Sequence, residues 1–165
     1  MSTAPDVVTV RLLGVPLQEW ERADEHYQDL RREFALLEIR APQEHAHHIP
    51  KRLEALITAL SAEYARLGEG ALERRDEALA AGETSVDLDY AVPRAVAQAC
   101  RDLDVMLDEA DEFCRRGRHL LTLETPPELV VFRKWYLQEF IDQIERGAEP
   151  TAWPEFRRQA DGAPF

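Results

Sequence analysis

Two hydrophobic periods run along this chain. The opening segment "DVVTVRLLGV", residues 6–15, is short and β-branched and is bounded by Gly14 and Pro16, which predicts a strand. Pro16 then stands where a helix would begin. Trp20, Ala23, Tyr27, Leu30, Phe34 and Leu37 follow at alternating gaps of three and four, a single stripe on a long amphipathic helix. After the connection "RAPQEHAHHIP", Pro50 opens a second helix with the stripe Leu53, Leu56, Leu60, Tyr64 and Leu67, ended by Gly68 and Gly70. "ALERRDEALAAGE" predicts a short third helix, with only Leu72 and Leu79 as large apolar residues. "TSVDLDYAVP" is read as a loop containing a strand-like turn. The fourth helix begins at Pro93, and its inner face is Val96, Cys100, Leu103, Leu107, Ala110 and Phe113 or Cys114. "HLLTLET" predicts the second strand, and Pro126 and Pro127 open a last long helix reaching about Arg146.

The expected fold is therefore mainly α. It is a helical bundle of about four long helices with a short two-stranded β element. Residues 1–147 form a single α-helical bundle domain, and residues 148–165 form a proline-rich, irregular C-terminal tail. "VRLLGVPLQEW" and "HLLTLETPPEL" share the order strand, proline, helix, so the two strands are expected to pair into a ribbon that leans on the helices.

The last helix breaks the amphipathic rule. Eight of the twelve residues from Leu129 to Phe140 are apolar or aromatic, more than one stripe can hold. Such a helix is either central in the bundle or presents one face to a partner. Both can hold together. The partner-facing candidates are Trp135 and Tyr136, with Arg133, Lys134 and Glu139 as a polar rim. In the tail, Trp153 and Phe156 flank Pro154 and serve either as a strap across the bundle or as a docking peptide.

At 165 residues the chain is one domain's worth and can be stable without metal or disulfides. The formal net charge is −12, and acids outnumber bases in each third of the chain. No basic face is evident to neutralise phosphates or an anionic membrane, so neither nucleic acid nor membrane is an expected partner. The N-terminus lacks the pattern of a signal peptide, and no segment approaches a membrane span. Cys100 and Cys114 fall about 21 Å apart on one predicted helix and cannot bond to each other. Together these features predict a reduced, cytoplasmic protein.

Candidate chemistry is sparse. "EHAHH" supplies His45, His47 and His48, with His26 in the preceding helix, and imidazole suits zinc, nickel or copper. The cluster has no HExxH helix and no CxxC pair. A polar loop is the favoured reading, and no metal or cofactor is assigned. The acidic run "DLDVMLDEADEF" has neither an EF-hand order nor inward ExxH pairs, and it reads as a solvated face or an acidic docking surface. Arg115, Arg116 and Arg118 then complement a helix C-terminus. The only serines are Ser2, Ser61 and Ser85, and glycine-rich phosphate loops are absent. No catalytic residue is assigned.

Two stretches carry a resemblance. The front one contains Pro16, Trp20, His26, Leu30, Arg32, Glu33 and Phe34. The back one contains Thr125, Pro126, Pro127, Glu128, Phe132, Arg133, Trp135, Tyr136, Glu139, Ile141 and Ile144. Over most of its length the chain resembles small actinobacterial proteins encoded beside partner-switching regulators of sigma factors. The resemblance implies no catalytic motif. It implies a protein partner of the anti-sigma factor, antagonist or phosphatase kind.

The expected function is a non-enzymatic regulatory protein acting by protein–protein contact, in a partner-switching or stress-signalling pathway. Its partner-binding residues would be Arg133, Trp135, Tyr136, Glu139, Trp153 and Phe156, and a homodimer is a further possibility. The alternative is a small-molecule or metal-sensing bundle with a pocket lined by Trp20, Tyr27, Trp135 and Tyr136. A third class is an enzyme that uses the histidines with a metal.

Overall fold

The computed structural model describes residues 6–40, 48–116 and 124–162. Its elements in chain order are β1 (Val7–Pro16), α1 (Leu17–Arg40), α2 (His48–Tyr64), a 3-10 turn (Ala65–Gly68) and α3 (Glu69–Ala80). These are followed by β2 (Ser85–Pro93), α4 (Val96–Arg116), α5 (Pro127–Arg146) and α6 (Trp153–Gly162). Over the described residues the chain is mainly helical with one two-stranded sheet, the class that the periodicity predicts. The four long helices are α1, α2, α4 and α5, α3 is the expected short helix between α2 and β2, and among the described residues α6 is the helix that was not expected.

The partner of β1 is not the segment expected. β1 pairs antiparallel with β2, from Val7 opposite Pro93 to Pro16 opposite Ser85. The predicted strand "HLLTLET" falls almost wholly outside the described residues. "SVDLDYAVP", read from sequence as a loop, is a regular strand. Val86, Leu88, Tyr90 and Val92 are buried while Asp87, Asp89 and Ala91 face water, a strict two-residue alternation. Aspartate disfavours strands in general, but both aspartates stand on the wet face, where they find partners. Arg11 Nε lies 3.1 Å from Asp89 Oδ1, directly across the ladder.

β1 continues through Gly14 rather than ending there. Between Leu12 and Val15 the ladder takes one extra residue on β1. Gly14 absorbs it at φ +66°, and its amide donates to Asp87 Oδ1 at 2.7 Å. A Cβ at this position would sit 3.2 Å from the Pro154 ring, so glycine is needed twice over.

The sheet's dry face lies on α5. Val10, Leu12, Val15, Val86, Leu88, Tyr90 and Val92 pack with Phe132, Trp135, Phe140, Ile141 and Ile144 of α5 in one continuous core. α5 is central, one of the two positions its broad apolar surface allows, and it packs against α4, α1, β1 and α6. α2 packs on α4 rather than on α5. A second, smaller cluster of Leu30, Phe34, Leu53, Ala110 and Cys114 joins α1, α2 and α4.

The tail is not irregular. Residues 153–162 form α6, and Trp153 is buried in the main core, edge-on to Phe132 and Trp135. Two hydrogen bonds hold the backbone just before it. Trp135 Nε1 donates to Thr151 O at 2.8 Å, and Thr151 N donates to Glu139 Oε2 at 3.1 Å. Their donors and acceptors lie in a core that would otherwise leave them unpaired.

Candidate functional site

A cavity of about 420 Å3 opens among α1, α4 and α5, where the two apolar clusters meet. α1 lines it with Trp20, Ala23, Asp24, His26, Tyr27 and Leu30. α4 contributes Leu103 and Leu107, and α5 contributes Leu129, Phe132, Arg133, Tyr136 and Leu137, with Thr125 just ahead of that helix. The size lies within the range of small-molecule sites. Ala23 is the small residue of the α1 stripe, so α1 presents a recess rather than a knob at this level. Four aromatic rings, those of Trp20, Tyr27, Phe132 and Tyr136, form much of the wall. Trp20 and Tyr136 are in tilted contact with centroids 6.4 Å apart.

One end of the cavity is polar and tightly wired. Asp111 of α4 is buried and accepts from Thr125 Oγ1 at 2.6 Å, from Thr125 N at 3.0 Å and from Arg133 Nη1 at 3.0 Å. Thr125 Oγ1 lies 3.3 Å from His26 Nε2. Because the threonine hydroxyl donates to Asp111, it accepts from His26 Nε2–H. That direction is the reverse of what general-base activation of Thr125 by His26 would need. The arrangement positions the start of α5 and fixes the imidazole.

Arg133 is only 12% exposed and also donates from Nη2 to Asp108 Oδ1 at 2.6 Å. Lys134 Nζ reaches Asp104 Oδ2 at 2.9 Å and Asp108 Oδ2 at 2.6 Å. Burial would lower the Lys134 pKa, but the hydrogen bonds and charges of Asp104 and Asp108 outweigh it and raise the value. The acidic run of α4 is thus not simply a solvated face. Asp104, Asp108 and Asp111, at gaps of four and three, form one stripe aimed at the two bases of α5.

The hydroxyls of Tyr136 and Tyr90 meet at 2.8 Å. Tyr136 lines the main cavity, and Tyr90 lines a second cavity of about 200 Å3 together with Tyr64, Cys100 and Leu103. Burial pushes the Tyr136 hydroxyl well above its ordinary range and raises that of Tyr90. Tyr27 is pushed up to about 12, chiefly by burial. These phenols stay protonated, and between Tyr90 and Tyr136 one hydroxyl donates while the other accepts.

The residues expected to face a partner are distributed differently. Trp135 is 0% exposed, and Glu139 and Trp153 are buried, so they belong to the core and not to a surface patch. Tyr136 and Arg133 turn toward the cavity, and Phe156 stacks on Trp153 half-buried. The outward aromatic face expected on α5 is therefore absent from the described surface, because β1, α1 and α6 occupy those sides of the helix. Of the four residues expected to line a pocket, Trp20, Tyr27 and Tyr136 do so and Trp135 does not.

His45 and His47 lie outside the described residues, and His48 opens α2 two residues before Pro50. No group of three metal-ligating side chains occurs among the described residues. Cys100 and Cys114 are buried free thiols. Among the described residues, no helix is long and apolar enough to cross a membrane. The rest of the lining was not named as a pocket from sequence, including Leu103 and Leu107, whose approach depends on how α4 crosses α5, and Thr125 just ahead of α5. Comparison with known proteins returned no matching family model, no matching curated protein and no matching solved structure.

Proposed function

We propose that this protein is a non-enzymatic regulatory module that binds a small, largely apolar molecule in the α1–α4–α5 cleft. The observation that supports this is the cavity itself: about 420 Å3, mostly aromatic and aliphatic, with Thr125, His26 and Arg133 at one end. Apolar walls with few convergent polar groups are the usual composition of such sites. Occupancy has a route to the rest of the fold. α1 is tied to the start of α5 by the Arg22–Glu128 pair at 2.6 Å and by His26–Thr125, and the cleft lies between those helices. α5 in turn holds the α6 segment through Trp135 and Glu139.

Titration with Nile red, a neutral apolar dye, tests this reading. Saturable fluorescence enhancement with quenching of Trp20 is expected. Ala23→Phe, which fills the recess, should abolish both while leaving the circular dichroism spectrum unchanged. Failure of the wild type to bind, or equal binding by Ala23→Phe, would remove the cleft as the site.

A second reading is contact with a protein partner, such as the anti-sigma factor, antagonist or phosphatase that the resemblance implies. It is favoured by apolar side chains left in water: Ile39 is 76% exposed and Leu36 42% near the end of α1, on a chain of net charge −12. Capture of such a regulator from host lysate that is lost with Ile39→Asp would support it. Equal capture by that variant would move the contact elsewhere.

A further inference from the structure

The cleft reading leaves the charge of the occupant open, and the distribution of ion pairs around the cavity decides it. The arginines and the lysine near the cleft all have carboxylate partners. Arg22 pairs with Glu128 at 2.6 Å, Arg31 with Glu54 at 2.7 Å, and Arg75 with Asp76 at 3.3 Å. Arg133 and Lys134 share three carboxylates, Asp104, Asp108 and Asp111. Two bases against three acids leave that network with one negative charge in excess.

Asp24 adds another. It is exposed, it lines the cavity, and it is one of the groups acting on Tyr27. None of the described ion pairs includes it. Among the described residues Arg133 is the one formally cationic lining residue. Its Nη1 and Nη2 are held by Asp111 and Asp108, and its Nε, which has no hydrogen-bond partner among the described residues, lies 4.0 Å from Asp104 Oδ1. An incoming anion would therefore meet three carboxylates around this guanidinium. The walls also suit a cation. Two of their rings already hold a cation, with the Arg75 guanidinium 5.0 Å over Trp20 and that of Arg31 6.0 Å over Tyr27, and Phe132 and Tyr136 add two more rings to the lining. Aromatic rings grouped in this way are a recurrent means of holding an ammonium group.

Resting on the cleft reading, we infer that the natural occupant is a hydrophobic organic cation, an amine or quaternary ammonium with an apolar body, whose charged end lies toward Asp24 and the aromatic wall. The apolar body fills the space between Leu103, Leu107 and Leu129. Neutral molecules of the same shape bind less tightly, and carboxylates bind least.

Three compounds with one chain length, octyltrimethylammonium, octanol and octanoate, would compete with Nile red on the intact protein. The expected order of affinity is cation, alcohol, carboxylate. Asp24→Asn should weaken octyltrimethylammonium about three- to fivefold, the size of an exposed charge contact, and leave octanol unchanged. Asp24 is solvent-exposed, so the substitution leaves folding intact. If Nile red binds but octanoate competes as well as or better than the cation, the charge inference is overturned and the cleft reading survives. The same holds if Asp24→Asn has no effect on the cation. If Nile red does not bind, both fail together.

Discussion

The side chain of Gln143 pairs with the backbone of Arg11 as a neighbouring strand would. Its Nε2 donates to Arg11 O at 2.8 Å, and its Oε1 accepts from Arg11 N at 2.9 Å. In a two-stranded sheet each strand has one unpaired edge, and a free edge is both unstable and open to pairing with other chains. One residue of α5 blocks that edge at the middle of β1. The same Nε2 also meets Glu139 Oε2 at 2.8 Å, so the sheet, α5 and the tail are joined in one buried network.

Gln143→Ala should therefore cost more than a surface glutamine would. It leaves the Arg11 amide and carbonyl without a protein partner and removes a donor from Glu139. A loss of about 2–4 kcal/mol is expected from urea unfolding, on the scale of unpaired buried polar groups. Aggregation through the exposed β1 edge should rise in parallel, visible by light scattering.

Glu139 makes the stability depend on pH in an unusual direction. Burial raises its pKa above the ordinary carboxylate value, only partly offset by the bonds from Thr151 and Gln143. The folded state thus holds this proton more tightly than the unfolded state does. Stability from this group is present at low pH and declines as pH rises from the unfolded value through the folded one. Glu139→Gln keeps an acceptor for Thr151 N and removes the ionisation. Its Tm should exceed that of wild type at pH 7. The difference should shrink to nothing below about pH 4, where both side chains are neutral. A Tm series across pH for the two proteins measures it.

Arg133 and Asp111 are a mostly buried pair, and removing one partner strands the other. Arg133→Met should destabilise by about 3–5 kcal/mol in chemical denaturation. The double variant Arg133→Met with Asp111→Leu should recover part of that loss. Full recovery is not expected, because Asp111 also holds Thr125 at the start of α5.

Both cysteines should be inert in the native protein. Burial pushes the thiols of Cys100 and Cys114 up to about 12, with nearby carboxylates adding to the effect. At pH 8 only about one part in ten thousand is thiolate, the reactive form. Ellman's reagent should therefore label neither cysteine within minutes at pH 8, and both after unfolding in guanidinium. Prompt labelling of the folded chain would show that the core around α4 opens locally.

The local periods in the chain determined most of its helices. The stripes of α1, α2 and α4 follow from spacing alone, because a helix with one apolar face must bury it. α5, apolar on most sides, could be central or turn a face to a partner, and the packing of β1, α1, α4 and α6 around it decided for the centre. The β2 alternation of Val86, Leu88, Tyr90 and Val92 was equally local, and its aspartates masked it. Only the tertiary structure decided that Asp87 and Asp89 would be partnered across the sheet, and only there does their strand-breaking tendency lose. The tail's fate was likewise not local. α6 owes its place to Trp153 inserting beside Phe132 and Trp135, a contact between distant segments. The cleft is the clearest case. Trp20, Tyr27 and Tyr136 could be named from sequence as pocket candidates, but Trp135, next in line, points into the core instead. A helix of 3.6 residues per turn sends neighbours about 100° apart, and which of them meets a cavity depends on how α1 and α4 cross α5.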